Sequence, residues 1–225
     1  MSNTNEIGEE YARPSVTVDV LVFTILEARL KVALVKRGVE PFKGRWALPG
    51  GFVHIDESLD DAARRELDEE AGICDVFLEQ LYTFGEVARD PRTRVITVAY
   101  YALVPGERIN LVASTDAIDA QWFAIDALPS LAFDHNVILK TGLERLKSKL
   151  QYSNIAYGLL PARFRLSDLQ KVYEIISGRA LDKRNFRKKM LSLDIVEATK
   201  FVDASGAHRP AQLFRFKKRK TVFFG

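Results

Sequence analysis

The sequence predicts an α/β domain over residues 15–150, preceded by a flexible arm (1–14) and followed by a small basic module over 151–225. Three observations carry this. In the first part, β-branched apolar runs alternate with helical stretches. After Leu150 the order becomes helix, tight turn, helix, hairpin. The charge divides at the same place: residues 1–150 hold 17 Lys+Arg against 24 Asp+Glu, and residues 151–225 hold 16 against 6. A length of 225 residues suits one medium domain and one small one. With 47% hydrophobic and 28% charged residues, whole-chain disorder is excluded. No apolar stretch is long enough to span a membrane. The polar start MSNTNEIGEEYARPS has no apolar region of a secretory signal, so a cytoplasmic protein is expected. A single cysteine, Cys74, excludes an internal disulfide framework and a cysteine-built zinc site, and three scattered histidines argue against a histidine-built one.

Element by element, SVTVDVLVFT (Ser15–Thr24) and LKVALVK (Leu30–Lys36) read as strands joined by a turn. Pro41, Gly44, Pro49, Gly50 and Gly51 punctuate the following loop. Ser58–Ala71 lacks Gly and Pro and is rich in Ala, Leu, Glu and Arg, which predicts a helix ended by Gly72. Val76–Val87 and Val95–Val104 read as strands around a polar Arg89–Arg94 loop, and Ala120–Ile125 as a short strand. His135–Leu150 is helical, with Leu139, Leu143, Leu146 and Leu150 at helical spacing. In the basic module, Ser167-Asp-Leu-Gln170 predicts a capping box opening a helix that Gly178 ends. Asp182 caps a second helix running to about Leu193, and Ile195–Val202 with Ala211–Phe216 form a hairpin around 204–210. That order is the one expected of a winged helix-turn-helix.

The segment Gly51–Ile73, GFVHIDESLDDAARRELDEEAGI, carries a physical oddity. At about 100° per residue, Leu59, Ala62, Ala63, Leu67 and Ala71 share an apolar sector, and Glu66 and Glu70 fall inside it. Carboxylates one turn apart repel, and burial worsens this unless a cation lies between them. Oxygen ligands from one helix face suit a hard divalent ion, Mg²⁺ or Mn²⁺, that bridges to substrate phosphates. A solvated acidic face is the alternative. Arg65 neutralises part of the charge.

These residues resemble the Nudix box at every fixed position: Gly51, Glu57, Arg65, Glu66, Leu67, Glu69, Glu70, Gly72 and Ile73. From average residue frequencies, a chance match in a chain this long is on the order of one in ten million. The resemblance implies a mixed-sheet α/β/α sandwich acting on a nucleoside diphosphate linked to another moiety. It further implies that Glu66, Glu69 and Glu70 hold metal with a carbonyl of Gly50 or Gly51, while Arg65 and Glu57 orient those glutamates. Metal-activated attack of water on the pyrophosphate would be the chemistry. Outside the box, Glu86, Asp116 and Asp119 are candidate general bases, each also readable as a plain loop carboxylate. Arg89, Arg92 and Arg94, in a loop that begins at Glu86, are candidate phosphate ligands, with a solvated loop as the alternative. That loop and LPSLAFDH (Leu128–His135) resemble ADP-ribose-handling Nudix domains. His54, Cys74, Trp46 and Trp122 read as structural.

In the second helix of the basic module, DKRNFRKKMLSL, residues Phe186, Met190 and Leu193 share one face. Lys183, Arg184, Asn185, Arg187 and Lys188 lie off it, as expected of a helix entering a major groove. His208 and Arg209 would form the wing tip, and Lys217–Lys220 would grip the DNA backbone. A basic helix covering the acidic domain, or a solvated basic tail, is the alternative. Tyr157–Met190 resembles the winged-helix module of the Nudix-related transcriptional regulators. That family implies a homodimer on a palindromic double-stranded operator, sensing ADP-ribose and often repressing genes of NAD metabolism. Its members often carry a degraded box, whereas this one is complete, which leaves hydrolysis open. The competing reading is a Mg²⁺-dependent ADP-ribose pyrophosphatase whose C-terminal module serves dimerisation or gating.

Overall fold

Strand β1 (Ser15–Leu26) is the spine of the larger part, because its apolar side chains alternate between two faces that are both covered. It pairs in parallel with β6 (Val95–Leu103) and antiparallel with β2 (Arg29–Arg37) and β4 (Gly50–Phe52). Beyond β2 lie β3 (Trp46–Ala47) and β7 (Ala117–Ala124), and beyond β6 lies β5 (Phe77–Phe84), giving a seven-stranded mixed sheet. This computed structural model describes residues 13–73, 76–106, 111, 117–204 and 210–224. The arm up to residue 12, Cys74, Asp116 and the wing-tip pair His208 and Arg209 lie outside the described residues. The glycine-rich segment expected to be loop throughout contains β3 and β4, which are too short to show a period.

Val18, Val20 and Val22 of β1 pack with Ala62, Ala63 and Leu67 of helix α1 (Leu59–Ala71). The alternate residues Leu21 and Phe23 pack on the opposite side with Ile138, Leu139 and Leu146 of helix α2 (His135–Tyr152). Burial on both faces is why β1 reads as an unbroken apolar run. The result is an α/β/α sandwich. Ser58 caps α1 by accepting from the Asp61 N–H, and Gly72 ends it in the left-handed region at φ 64°, which disfavours a side chain.

The basic module follows α2 through a 3-10 turn (Ile155–Leu159). It comprises β8 (Phe164–Arg165), α3 (Leu166–Ser177), α4 (Lys183–Ser192), β9 (Val196–Asp203) and β10 (Ala211–Phe216), with strand order β8-β10-β9. It is a winged helix-turn-helix. The cap expected at Ser167 sits two residues earlier. Arg165 is the N-cap and the Asp168 carboxylate accepts its backbone N–H at 3.0 Å, because pairing of β8 with β10 fixes where the helix starts. Asp182 caps α4 as expected, accepting from the Asn185 N–H at 2.8 Å.

The two parts share one core. Leu103 and Leu146 connect through Ile155 and Leu159 to Leu169 and Phe216 in a single buried cluster. Each such side chain contributes about 1.5–3 kcal/mol by leaving water, so the parts are bonded along a surface and not merely strung together. The C-terminal segment fastens the joint. Asn154, 1% exposed, donates to the Lys218 and Lys220 carbonyls and accepts from the Val222 N–H. Arg219 donates to the carbonyls of Tyr157 (2.9 Å), Leu160 (3.1 Å) and Pro161 (3.2 Å). The expectation that Lys217–Lys220 grips DNA as a unit is therefore corrected. Arg219 closes the joint because unfilled carbonyls at the turn take its donors, and Lys217 pairs with the Asp194 carboxylate at 2.5 Å.

Candidate functional site

The oddity of the acidic helix persists in three dimensions. Glu66 is 6% exposed beside the apolar residues of α1, and burial, the largest influence, pushes its carboxyl above the usual range against the pull of Arg65. Arg65 is the organiser. Its guanidinium donates to Glu57 at 2.6 and 3.0 Å, to Glu66 at 2.7 Å, to Glu69 at 3.2 Å and to the Phe52 carbonyl at 3.2 Å. Held by Arg65, Glu57 lies at about 2, and its carboxylate also accepts from the His54 N–H. His54 itself is exposed, with Nδ1 3.7 Å from Glu57.

Gly51 leaves room for the Glu66 carboxylate. A Cβ there would lie 2.2 Å from Glu66 Oε1, and one on Gly50 would lie 2.2 Å from the Val18 carbonyl. Glu70 accepts from the Gly50 N–H at 3.0 Å. Glu66, Glu70 and the Gly50–Gly51 peptides therefore face one another, all with oxygen donors, and a buried carboxylate incompletely neutralised by Arg65 fits a hard divalent cation. Glu69 is exposed and turned onto Arg65, so among the described residues no three acidic groups are placed around a common metal position.

These groups border an open cleft of about 170 Å³. Arg89 lies on it but is buried, and the structure corrects its assignment as a phosphate ligand. It donates to Asp134 at 2.8 and 3.1 Å and to Asp19 at 3.2 Å, so its charge is already matched. His135 joins them: Nδ1 accepts from the Leu48 N–H at 2.9 Å, which leaves Nε2 to face Asp19 at 3.3 Å. Burial alone would raise the Asp19 carboxyl; His135 and Arg89 outweigh it and hold the group below its ordinary value. Arg92 lies on the cleft, half-exposed, paired with buried Asp90 at 2.7 Å and placed over the Phe52 ring. Arg94 donates to the Glu86 carbonyl at 3.1 Å and ties the loop. It does not line the cleft, and neither do Glu86 and Asp119. Trp46 packs edge-on against Phe123, and Trp122 packs on the α1 face.

Sequence reasoning missed Arg37, Asp90 and Phe133, which line the cleft with the Arg37 guanidinium 4.9 Å over the Phe133 ring. It also passed over Asp19, although a lone acid within SVTVDVLVFT was a signal that something must neutralise it.

The second candidate surface is helix α4. Phe186 and Met190 are buried, with Phe186 edge-on to Tyr173, while Lys183, Arg184, Asn185, Arg187 and Lys188 are all exposed. Arg187 leans over Phe214 of β10. No ion pair is made by the other three cations among the described residues. A solvent-facing row of unneutralised cations on the second helix of such a module can bind a phosphate backbone and read base edges. No described helix is long and apolar enough to cross a membrane.

Known proteins match both parts of the chain. The NUDIX domain family matches residues 16–144, and the NrtR DNA-binding winged helix domain matches residues 156–216. The chain is 39% identical over 215 residues to the "ADPR responsive transcriptional repressor NtrR" of Acinetobacter baylyi, covering 92% of this chain and 84% of that one. The structure of Shewanella oneidensis NrtR complexed with a 27mer DNA superposes with a TM-score of 0.81 at 34% identity, covering 90% of this chain and 93% of that one. The ADP-ribose pyrophosphatase of Methanocaldococcus jannaschii is 40% identical over 130 residues, covering 58% of this chain and 73% of that one.

Proposed function

The chain belongs to the NUDIX family, in the group that joins a NUDIX domain to an NrtR DNA-binding winged helix, and we propose that it is a DNA-binding transcriptional repressor that senses ADP-ribose. The observation that carries this is the shared core. The cleft opens at the N-terminus of α2, the helix packs along the sheet, and its other end is buried with α3 beneath the basic face of α4. Residues 15–150 are the sensor and 151–225 the DNA-binding part. A homodimer would set two α4 helices on a palindromic duplex operator, and genes of NAD metabolism are the targets to test. Work on DNA places the protein in the cytoplasm. For ADP-ribose to act as a signal it must bind the free and the operator-bound forms with different affinity.

Within the cleft, Arg92 and Arg37 are the cations placed to meet a pyrophosphate. Arg65 positions Glu66 and Glu57. Glu66, Glu70 and a Gly50–Gly51 carbonyl would hold Mg²⁺ or Mn²⁺, with Glu69 joining by leaving Arg65. Such an ion lowers the pKa of bound water and neutralises phosphoryl charge. The complete box favours a second reading, hydrolysis of ADP-ribose by this same cleft, whether as the main activity or as clearance of the effector.

Selection of sites from a random duplex pool, with and without ADP-ribose and Mg²⁺, tests the proposal. Enrichment of a palindrome that ADP-ribose alters supports the repressor; no enriched sequence at low or moderate salt refutes it. Hydrolysis is checked by AMP release: Glu70→Gln is expected to slow any Mg²⁺-dependent turnover at least about tenfold while leaving operator binding intact. Unchanged turnover would remove Glu70 from the metal site.

A further inference from the structure

Between α2, α3 and α4, on the opposite end of α2 from the nucleotide cleft, lies an open groove of about 530 Å³. Its floor is apolar: Leu150, Ile176, Phe186 and Met190 are each 6% exposed or less. Its rim carries Lys147 from α2, Arg179 from the turn and Lys189 from α4. All three are exposed, and none makes a salt bridge among the described residues. The one acid on the rim, Asp182, is occupied in capping α4. Tyr173 also lines the groove, and its hydroxyl has no hydrogen-bond partner among the described residues. Burial alone pushes that phenol up to about 12, so it stays a neutral donor.

We propose that this groove is a second ligand site, separate from the nucleotide cleft, for a small amphipathic anion: an aromatic or alkyl body seated on Leu150, Ile176 and Met190, with its carboxylate or sulfonate among Lys147, Arg179 and Lys189. Size and charge both select this occupant. A groove of this volume is on the scale of small-molecule sites, which are mostly apolar with a few converging polar groups. A second copy of the chain docked here across a two-fold axis would set the basic rim against itself, at a cost. The Tyr173 hydroxyl, open to the groove, is a neutral donor that the same anion can accept from. Because the occupant would touch α2 and α4 together, it would fix their spacing. Any effect on DNA rests on the reading of α4 given above, whereas binding itself does not.

The test uses the full-length protein and the fluorescent probe anilinonaphthalene sulfonate, with neutral phenylnaphthylamine as its uncharged counterpart. Expected are one dye site per chain, at least tenfold tighter binding of the sulfonate than of the neutral compound, and no displacement by saturating ADP-ribose. Lys147→Glu with Arg179→Glu, both at exposed positions, is expected to weaken the sulfonate at least tenfold while ADP-ribose titrates as before. Ser177→Trp, which fills the rim, is expected to exclude both dyes. Equal binding of the two dyes, unchanged affinity in the variants, or displacement by ADP-ribose would overturn the proposal. So would dye binding that appears only when sedimentation shows a dimer dissociating, since the groove would then belong to a second copy. Loss of operator selection with dye binding intact would refute the repressor reading and leave this site standing.

Discussion

Reversing two charges on α4, Arg184→Glu with Lys188→Glu, is expected to weaken operator binding at least about a hundredfold while ADP-ribose affinity and melting temperature stay unchanged. Both side chains are exposed and make no ion pair among the described residues, so the fold loses nothing when they change. On DNA each base-edge or phosphate contact from such a helix is worth about 1–3 kcal/mol, and two lost contacts multiply. Reversal adds repulsion to the loss. Titrations across salt concentrations separate the contributions. If Lys188 meets a phosphate, the slope of log affinity against log salt becomes shallower by about one unit per lost contact, while a base-reading Arg184 changes which operator position is selected. Unchanged affinity would remove α4 from the DNA interface and return the basic helix to a cover for the acidic domain.

That helix was legible in the sequence because its burial follows a local rule. Asp182 as cap, Phe186 and Met190 one turn apart, and cations on the remaining arc need only a helical period to be read. The acidic helix was legible for the same reason, down to a buried Glu66. What local pattern does not contain is the partner of a side chain distant in sequence. Arg89 lies in a polar loop next to two other arginines, and only the fold brings Asp19, 70 residues away, and Asp134, 45 away, to it. Asn154 reads as an ordinary turn residue until the chain returns to it at Lys218–Val222. The cap of α3 moved because β8, two residues long, is defined by pairing with β10 and has no period of its own. Arg37 ends a strand whose pattern reports burial and says nothing about the cleft beyond it. Function in the sensor part thus rests on contacts between segments, while function in the DNA-binding part is written along one helix.

Arg89→Met is expected to destabilise the protein by about 3–5 kcal/mol, the cost of removing one partner from a buried ion pair. For a chain of this length, that is roughly a 10 °C fall in melting temperature. The Arg89 side chain is 4% exposed and the Asp19 side chain 9%, so water cannot replace the lost guanidinium. Asp134 loses two hydrogen bonds at the same time, at the start of α2. The pH dependence has a definite sign. Asp19 lies below its ordinary value of 3.8 in the native fold, so its ionised form stabilises the protein above that value, and the contribution is lost as pH falls through the folded value. Without Arg89, burial opposes the carboxylate more strongly and its folded value rises, so the gap between variant and wild type is expected to narrow on acidification. Adding Asp19→Asn to Arg89→Met removes the uncompensated charge and is expected to recover part of the lost stability, a coupling that a double-mutant cycle reads directly. An arginine serving as a free phosphate ligand behaves in the opposite way: its loss weakens ADP-ribose and leaves the melting curve in place. Half-exposed Arg92 stands between the two: its loss is expected to weaken ADP-ribose and also to lower stability, because buried Asp90 loses its partner. If Arg89→Met left thermal stability unchanged and weakened ADP-ribose alone, the buried network would be overturned as the support of the cleft.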